Sequence, residues 1–226
     1  MAARLKLSIV MPVLDEAERI GAALQALARL RRDGCEVIVV DGGSADRSRE
    51  LAEPLCDRVV SSARGRAVQM NCGARHASGE ALLFLHADTR LPPDADALVR
   101  SALKRHVWGR FDVEIESRHR LLRVVACAMN LRSRLSSIAT GDQAIFVRRD
   151  AFAGFREIAL MEDIAFSRAM KRRSRPACLR ARVITSARRW EANGVVRTIL
   201  LMWRLRLLYA LGIPPQRLAR EYADQR

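Results

Sequence analysis

The chain has 226 residues, half of them hydrophobic, which is enough to bury a core of ordinary size in one domain. Forty basic residues against 25 acidic ones leave a formal charge of +15, carried almost wholly by Arg because Lys stands only at Lys6, Lys104 and Lys171. Anionic partners follow from that balance, but nucleic acid, acidic lipid and a diphosphate would satisfy it equally. Five scattered cysteines with no CxxC spacing exclude a zinc or dithiol framework and fit a reducing compartment. The first apolar run, LSIVMPVL, is too short for a signal segment and contains Pro12, so it reads as a buried strand. Val195 to Leu211 is interrupted by Arg197, Arg204 and Arg206, so no spanning helix is expected.

In chain order, LSIVMPV is a strand, and Ile20, Leu24, Leu27 and Leu30 follow at helical spacing behind a D-x-x-E start at Asp15 and Glu18. EVIVVD at 36–41 is a second strand that runs into Gly42 and Gly43, with Ser44 placed to cap a helix ending near Pro54. A short run at Arg58 to Ser61, a helix from about Ala67 to Ala77 and the strand ALLFL at 81–85 continue the β-α-β rhythm. Runs buried on both faces imply a parallel sheet. The rhythm then changes. A helix after Pro92 and Pro93 runs to about Arg105, and FDVEIES at 111–117 alternates as a strand with one wetter face. A helix over 121–135, a strand at 144–148, a helix after Glu162 and Asp163 and a strand from 178 to 184 complete the unit, and a basic, apolar helix follows Gly194. The boundaries expected are one α/β catalytic domain over 1–192 and a helical extension over 193–226, with no repeat and no linker.

In open parallel sheets, ligands sit beyond the carboxyl ends of the strands. Three of those ends are acidic: Asp15 and Glu16 after the first strand, Asp41 after the second, and His86-Ala87-Asp88 after ALLFL. Singly, Asp15 reads equally well as a helix cap, and Asp41 and Asp88 as turn residues. Jointly they suit a nucleotide and a divalent cation, since a carboxylate can accept from a base N–H or ligate a hard ion that bridges a diphosphate.

The segments SIVMPVLDEAERI, VIVVDGGSADRS, RGRAVQMNCGARHASG, LLFLHADT, GDQAIFVRR and MED, in that order over roughly residues 7–172, resemble the inverting family 2 glycosyltransferases of GT-A fold. LHADT and the RRW segment look closest to a compact subgroup associated with radical-SAM and selenium proteins. The resemblance implies a mostly parallel sheet flanked by helices, with a nucleotide-diphosphosugar (UDP- or GDP-sugar) as donor. It also implies that Pro12, Val13, Asp15 and Glu16 line the nucleotide pocket and that Asp41 accepts from the base imide N–H. Asp88 corresponds to the last acid of the D-x-D metal motif, for Mg²⁺ or Mn²⁺, while His86 departs from the pattern where an Asp usually stands. Imidazole rarely ligates a hard ion, so His86 reads as a packing or hydrogen-bonding residue. Arg64 and Arg66 precede a helix whose N-terminus could face an anion, though a basic loop can equally be solvated.

The family's E-D motif falls on Glu162 and Asp163, with Asp163 as the base that takes the acceptor's hydroxyl proton. Gly141, Asp142 and Gln143 match the acceptor loop, and Arg188, Arg189 and Trp190 match a basic-aromatic segment beside acceptor and diphosphate; a core Trp with two surface arginines fits the latter as well. A dinucleotide oxidoreductase is disfavoured because PVLDEAE replaces GxGxxG. A sugar nucleotidyltransferase lacks its Gly-rich basic loop, and a nucleic-acid binder is at odds with 5% aromatic residues and the absence of an RNA-binding motif. The expected setting is the cytoplasm with an unknown acceptor, and the tail helix either completes the core or docks on acidic membrane or on a partner, with Arg206 falling nearly opposite Arg197 and Arg204.

Overall fold

Alternation along the strands decides the layering. In β1 (Leu7–Val13) Ile9 and Met11 point to one face and Val10 to the other. In β2 (Glu36–Asp41) Val37 and Val39 oppose Ile38 and Val40, and all seven side chains are fully buried. Such two-faced strands need cover on both sides. The computed structural model describes residues 5–223 and supplies it as a helix–sheet–helix stack. On one face lie α1 (Ala17–Ala26), α2 (Ala28–Arg32) and α5 (Ala95–Leu103), contributing Ile20, Leu24, Leu30 and Val99. On the other lie α4 (Arg66–His76) and α7 (Glu162–Met170), contributing Met70, Phe166 and Met170. The short α3 (Ser48–Ala52) follows β2. In α4 the approach is so close that a Cβ on Gly73 would stand 2.3 Å from Val10 Cγ1, so only glycine lets this helix seat on β1.

The sheet has eight strands in the order β3-β2-β1-β4-β7-β6-β8-β5. β3 (Arg58–Ser61), β2, β1 and β4 (Ala81–Phe84) are parallel, β7 (Phe146–Arg148) is antiparallel to both neighbours, and β6 (Trp108–Glu116) runs parallel to β8 (Ala177–Ser186). A two-residue β5 (Thr89–Arg90) closes the far edge against β8. The parallel half is the one the β-branched runs foretold, and the antiparallel insertion falls where the rhythm changes.

Several local expectations are corrected. Leu27 breaks the first long helix into α1 and α2. The wetter face of β6 is wet only at Glu114 and Glu116, because α6 (Arg120–Ser136) lies over its beginning. There Arg110 and Asp112 are buried, Arg110 pairing with Asp112 and donating to Asn130 O at 3.1 Å, while Arg134 reaches Asp112 from the helix. After β8 come α8 (Arg188–Asn193), α9 (Val195–Ala210) and α10 (Pro215–Ala223). Leu205 of α9 and Leu218 of α10 are fully buried with Met161 and Ile164 in a separate small cluster. Among the described residues no helix is long and apolar enough to cross a membrane.

Candidate functional site

The four parallel strands end at one edge of the sheet, and β7, running antiparallel to β4, brings its entry turn Gly141–Gln143 to that same edge. At β1, Asp15 occupies the left-handed region at φ 54°, a conformation that costs an L-residue about 1–2 kcal/mol. Its N–H donates to Ser44 Oγ at 3.0 Å and its Oδ1 accepts from Ala45 N–H at 2.8 Å. The next two N–H groups also go to the neighbouring loop, Glu16 to Ser48 Oγ at 2.7 Å and Ala17 to Asp46 Oδ2 at 3.0 Å. Asp15 is therefore no helix cap, and the D-x-x-E box does not form; side chains from the β2 loop satisfy the start of α1 instead. Ser44 does not cap a helix either, since α3 begins only at Ser48, and its hydroxyl donates to Asp41 Oδ1 at 2.6 Å.

Asp41 is 6% exposed and closes its own turn, accepting from Ser44 N–H at 3.1 Å and from Gly43 N–H at 3.3 Å. Its Oδ2 is engaged only by long bonds, from Gly43 N–H at 3.3 Å and from Ser44 N–H at 3.4 Å, which an incoming N–H can displace. Gln69 of α4 lies beneath both loops, donating from Nε2 to Val13 O at 2.7 Å and to Val40 O at 2.8 Å. One buried amide thus ties the ends of β1 and β2 together. The Val13 side chain belongs to the core, Pro12 is partly buried, and Arg64 is exposed ahead of α4.

Beyond β4, a small pocket is lined by Arg66, His86, Gly141, Glu162 and Asp163 over a floor that includes Phe84 and Phe155, whose rings meet edge to face at 4.8 Å. Asn71 clamps the segment below, donating to Phe155 O at 2.8 Å and accepting from Phe155 N–H at 2.7 Å. Asp163 is held by two backbone donors, Gly141 N–H to Oδ2 at 3.0 Å and Ile164 N–H to Oδ1 at 2.7 Å. Glu162, almost fully buried, meets Arg66 at 3.2 Å. Burial pushes the Glu162 carboxyl up and the Asp163 charge adds to it, against the pull of Arg66. Gly141 has no room for a side chain, since a Cβ would stand 2.6 Å from His86 Cε1. His86 faces Asp142 at 3.7 Å, and although burial pushes the Asp142 carboxyl up, His86, Arg66 and Arg206 together hold it below the usual range.

Two further arginines act on this acidic edge from helices that carry no recognisable motif. Arg132 of α6 lies within the field of Asp163, and burial with the Arg206 charge brings its guanidinium down to about 10. Its Nε and Nη2 are buried with no hydrogen-bond partner among the described residues. Arg206 of α9 acts on Asp142 and Arg132.

The family model for glycosyl transferase family 2 matches residues 8–162, more than half of the chain, ending at Glu162. The chain belongs to glycosyl transferase family 2. It is 37% identical over 102 residues to a PGL/p-HBAD biosynthesis glycosyltransferase of Mycobacterium tuberculosis, a match spanning 42% of this chain and 40% of that protein. The chain thus spans well under two thirds of that relative's length. Among solved structures it resembles S. aureus TarS in complex with UDP-GlcNAc, with a TM-score of 0.66 at 20% identity over 80% of this chain and 58% of that one. It also resembles glucosyl-3-phosphoglycerate synthase of Mycobacterium tuberculosis in complex with Mn²⁺, UDP and glucosyl-3-phosphoglycerate, with a TM-score of 0.63 at 19% identity over 93% and 81%. These likenesses identify the GT-A fold.

In this family 2 chain the pocket gathers Arg66, Gly141, Glu162 and Asp163, with Asp142 beside it, while Asp15, Glu16 and Asp41 form the neighbouring shelf. Gln143 is fully buried and spends its amide on Thr140 and Asn130, holding the loop from within. Arg188, Arg189 and Trp190 do not line the pocket. Arg189 stacks 3.6 Å over the Tyr222 ring, and Trp190 packs against the cluster of Ile115, Leu122 and Ala126. Among the described residues no three His, Cys, Asp or Glu side chains gather as a metal cage. A cation bridging a diphosphate needs few protein ligands, and the part-exposed Asp88, whose carboxylate among the described residues accepts from Thr89 Oγ1 at 3.2 Å, fits that demand.

Proposed function

We propose that this protein transfers a sugar from a UDP- or GDP-sugar to an acceptor hydroxyl with inversion, using Asp163 as the general base. The observation that carries the reading is Asp163 itself, fixed by Gly141 N–H and Ile164 N–H beside the buried Glu162 and its ion pair with the part-exposed Arg66, in a chain of family 2. Each Asp163 oxygen accepts one backbone bond and keeps a lone pair for the incoming proton. The acceptor oxygen attacks the anomeric carbon, its proton passes to Asp163, and the nucleoside diphosphate departs from the opposite face. Glu162 positions Arg66, and Gly141 keeps His86 against the loop that carries Asp142.

On the donor side, the stitched loops of β1 and β2 offer Asp15, Glu16 and the weakly engaged Asp41 Oδ2 to the nucleoside, with Arg64 and Arg66 toward the phosphates. Asp88 would hold Mg²⁺ or Mn²⁺, which when bound neutralises the leaving diphosphate. Within the family, LHADT and RRW ally the chain with the compact radical-SAM/selenodomain-associated transferases. The reaction is assigned to the cytoplasm, in keeping with five cysteines that are all free thiols. A thermal-shift screen of UDP, GDP and their sugars with and without Mn²⁺ tests the donor, since ligands of the native state raise Tm. Stabilisation by a nucleotide sugar only with metal is expected, and no stabilisation by any of them would overturn the reading. Product anomeric configuration by NMR tests inversion.

A further inference from the structure

In α9 the exposed side is apolar. Val196, Leu200, Trp203, Leu207 and Leu211, the last at its C-terminal cap, are each between 60 and 71% exposed, while Thr198 and Leu205 are buried. At 3.6 residues per turn the five fall within about 80° of arc. Arg197 and Arg204 lie along one border of that arc and Arg206 along the other, and the helix contains no acidic residue. Glu221 of α10 pairs with Arg204 at 3.3 Å. Between the arginines and Val196, Leu200 and Leu201 runs a shallow open groove of about 400 Å³. The tail therefore closes a small core with one face and presents an apolar stripe with the other.

We propose that α9 lies in the interface of an anionic phospholipid bilayer, with the stripe from Val196 to Leu211 immersed and Arg197 and Arg204 on lipid phosphates. Charge complementarity selects this occupant. An apolar arc bordered on both sides by cations suits acyl chains beneath anionic headgroups, and Trp203 has the amphipathic ring that settles at headgroup depth. At 16 residues the helix is too short to span the hydrocarbon and lies on it instead. The Arg206 charge of the same helix acts on Asp142 at the acidic edge.

The test is cosedimentation of the whole chain with vesicles of phosphatidylcholine alone and of an equimolar mixture with phosphatidylglycerol. Binding to the mixture only is expected, weakened about fivefold by Arg197→Gln, the usual contribution of one arginine near an anionic surface. Leu200→Ser, Trp203→Ser and Leu207→Ser combined change only exposed side chains. That variant is expected to keep its Tm and any nucleotide-induced stabilisation while losing at least about tenfold in vesicle binding. A blue shift of Trp emission on binding should vanish in Trp203→Phe, which still sediments. Equal recovery in the supernatant with and without lipid overturns the proposal, as does a triple variant that binds like wild type. A wild-type dimer that the triple variant converts to monomer, with no vesicle binding, assigns the stripe to a second copy of the chain instead.

Discussion

Replacing Asp163 by Asn removes the proposed proton acceptor and also disturbs its anchorage, and the two effects differ in size. Both carboxylate oxygens are engaged, Oδ2 by Gly141 N–H at 3.0 Å and Oδ1 by Ile164 N–H at 2.7 Å. An amide offers one oxygen and one NH₂, so one of the two backbone donors must face another donor. The loss of one such bond costs about 1 kcal/mol, which in a chain of this size lowers Tm by about 2–4 °C. Loss of general-base help lowers turnover by about 10²–10⁴. The donor shelf is built from Asp15, Asp41, Ser44 and Gln69, none of which bonds Asp163, so the Kd for the nucleotide sugar should stay within about twofold. Nucleoside diphosphate release, with a crude lipid and metabolite extract as acceptor source, measures turnover, and calorimetry measures donor binding. A variant that keeps more than about a tenth of the wild-type rate refutes the base assignment. Donor binding that collapses together with turnover refutes the separation of shelf and pocket.

Asp88→Ala is expected to abolish the Mn²⁺-dependent part of UDP or GDP affinity and to leave metal-free affinity unchanged; equal metal dependence in the two proteins would remove Asp88 from the cation site. Gln69→Leu takes the side-chain donor from Val13 O and Val40 O, of which Val13 O retains Gly42 N–H at 2.9 Å, so a loss of about 1–2 kcal/mol is expected in denaturant unfolding, with weaker nucleotide binding. Unchanged stability would mean that the amide does not tie the strands. Because burial raises the Glu162 carboxyl, the native state holds its proton to higher pH than the unfolded chain, where it titrates near 4.5. This group therefore subtracts stability as pH rises from that value through its raised native one, and Glu162→Gln should flatten that part of the curve of Tm against pH. Parallel curves for the two proteins would count against it.

What could be read in the sequence is what the chain encodes locally. Strands β1 and β2 appear at the residues where β-branched, apolar runs foretold them, because burial on both faces demands a continuous hydrophobic run that little else mimics. Strand-end acids are legible for the same reason: the end of such a run is visible, and ligands gather there. The E-D pair and the Asp41 loop could be placed because their motifs are contiguous.

The tertiary structure alone decided what each polar group is used for. Asp15 and Ser44 read as helix caps, since capping is the commonest local use of such residues, yet both are spent on stitching two loops from different strands. Asp112 reads as the wet face of β6 and is buried, because solvent exposure depends on α6 arriving some twenty residues later, with Arg134 meeting it at Asp112. Arg132 and Arg206 carry no local signal, and only the packing of α6 and α9 brings their charges onto Asp163 and Asp142. The tail shows the division most clearly. Its composition permits a core helix or an interfacial one, and the choice is made by which arc its neighbours cover: they bury Thr198 and Leu205 and leave the stripe from Val196 to Leu211 facing outward. Hydrophobicity is a property of residues, but burial is a property of neighbours, which the sequence specifies only through the whole fold.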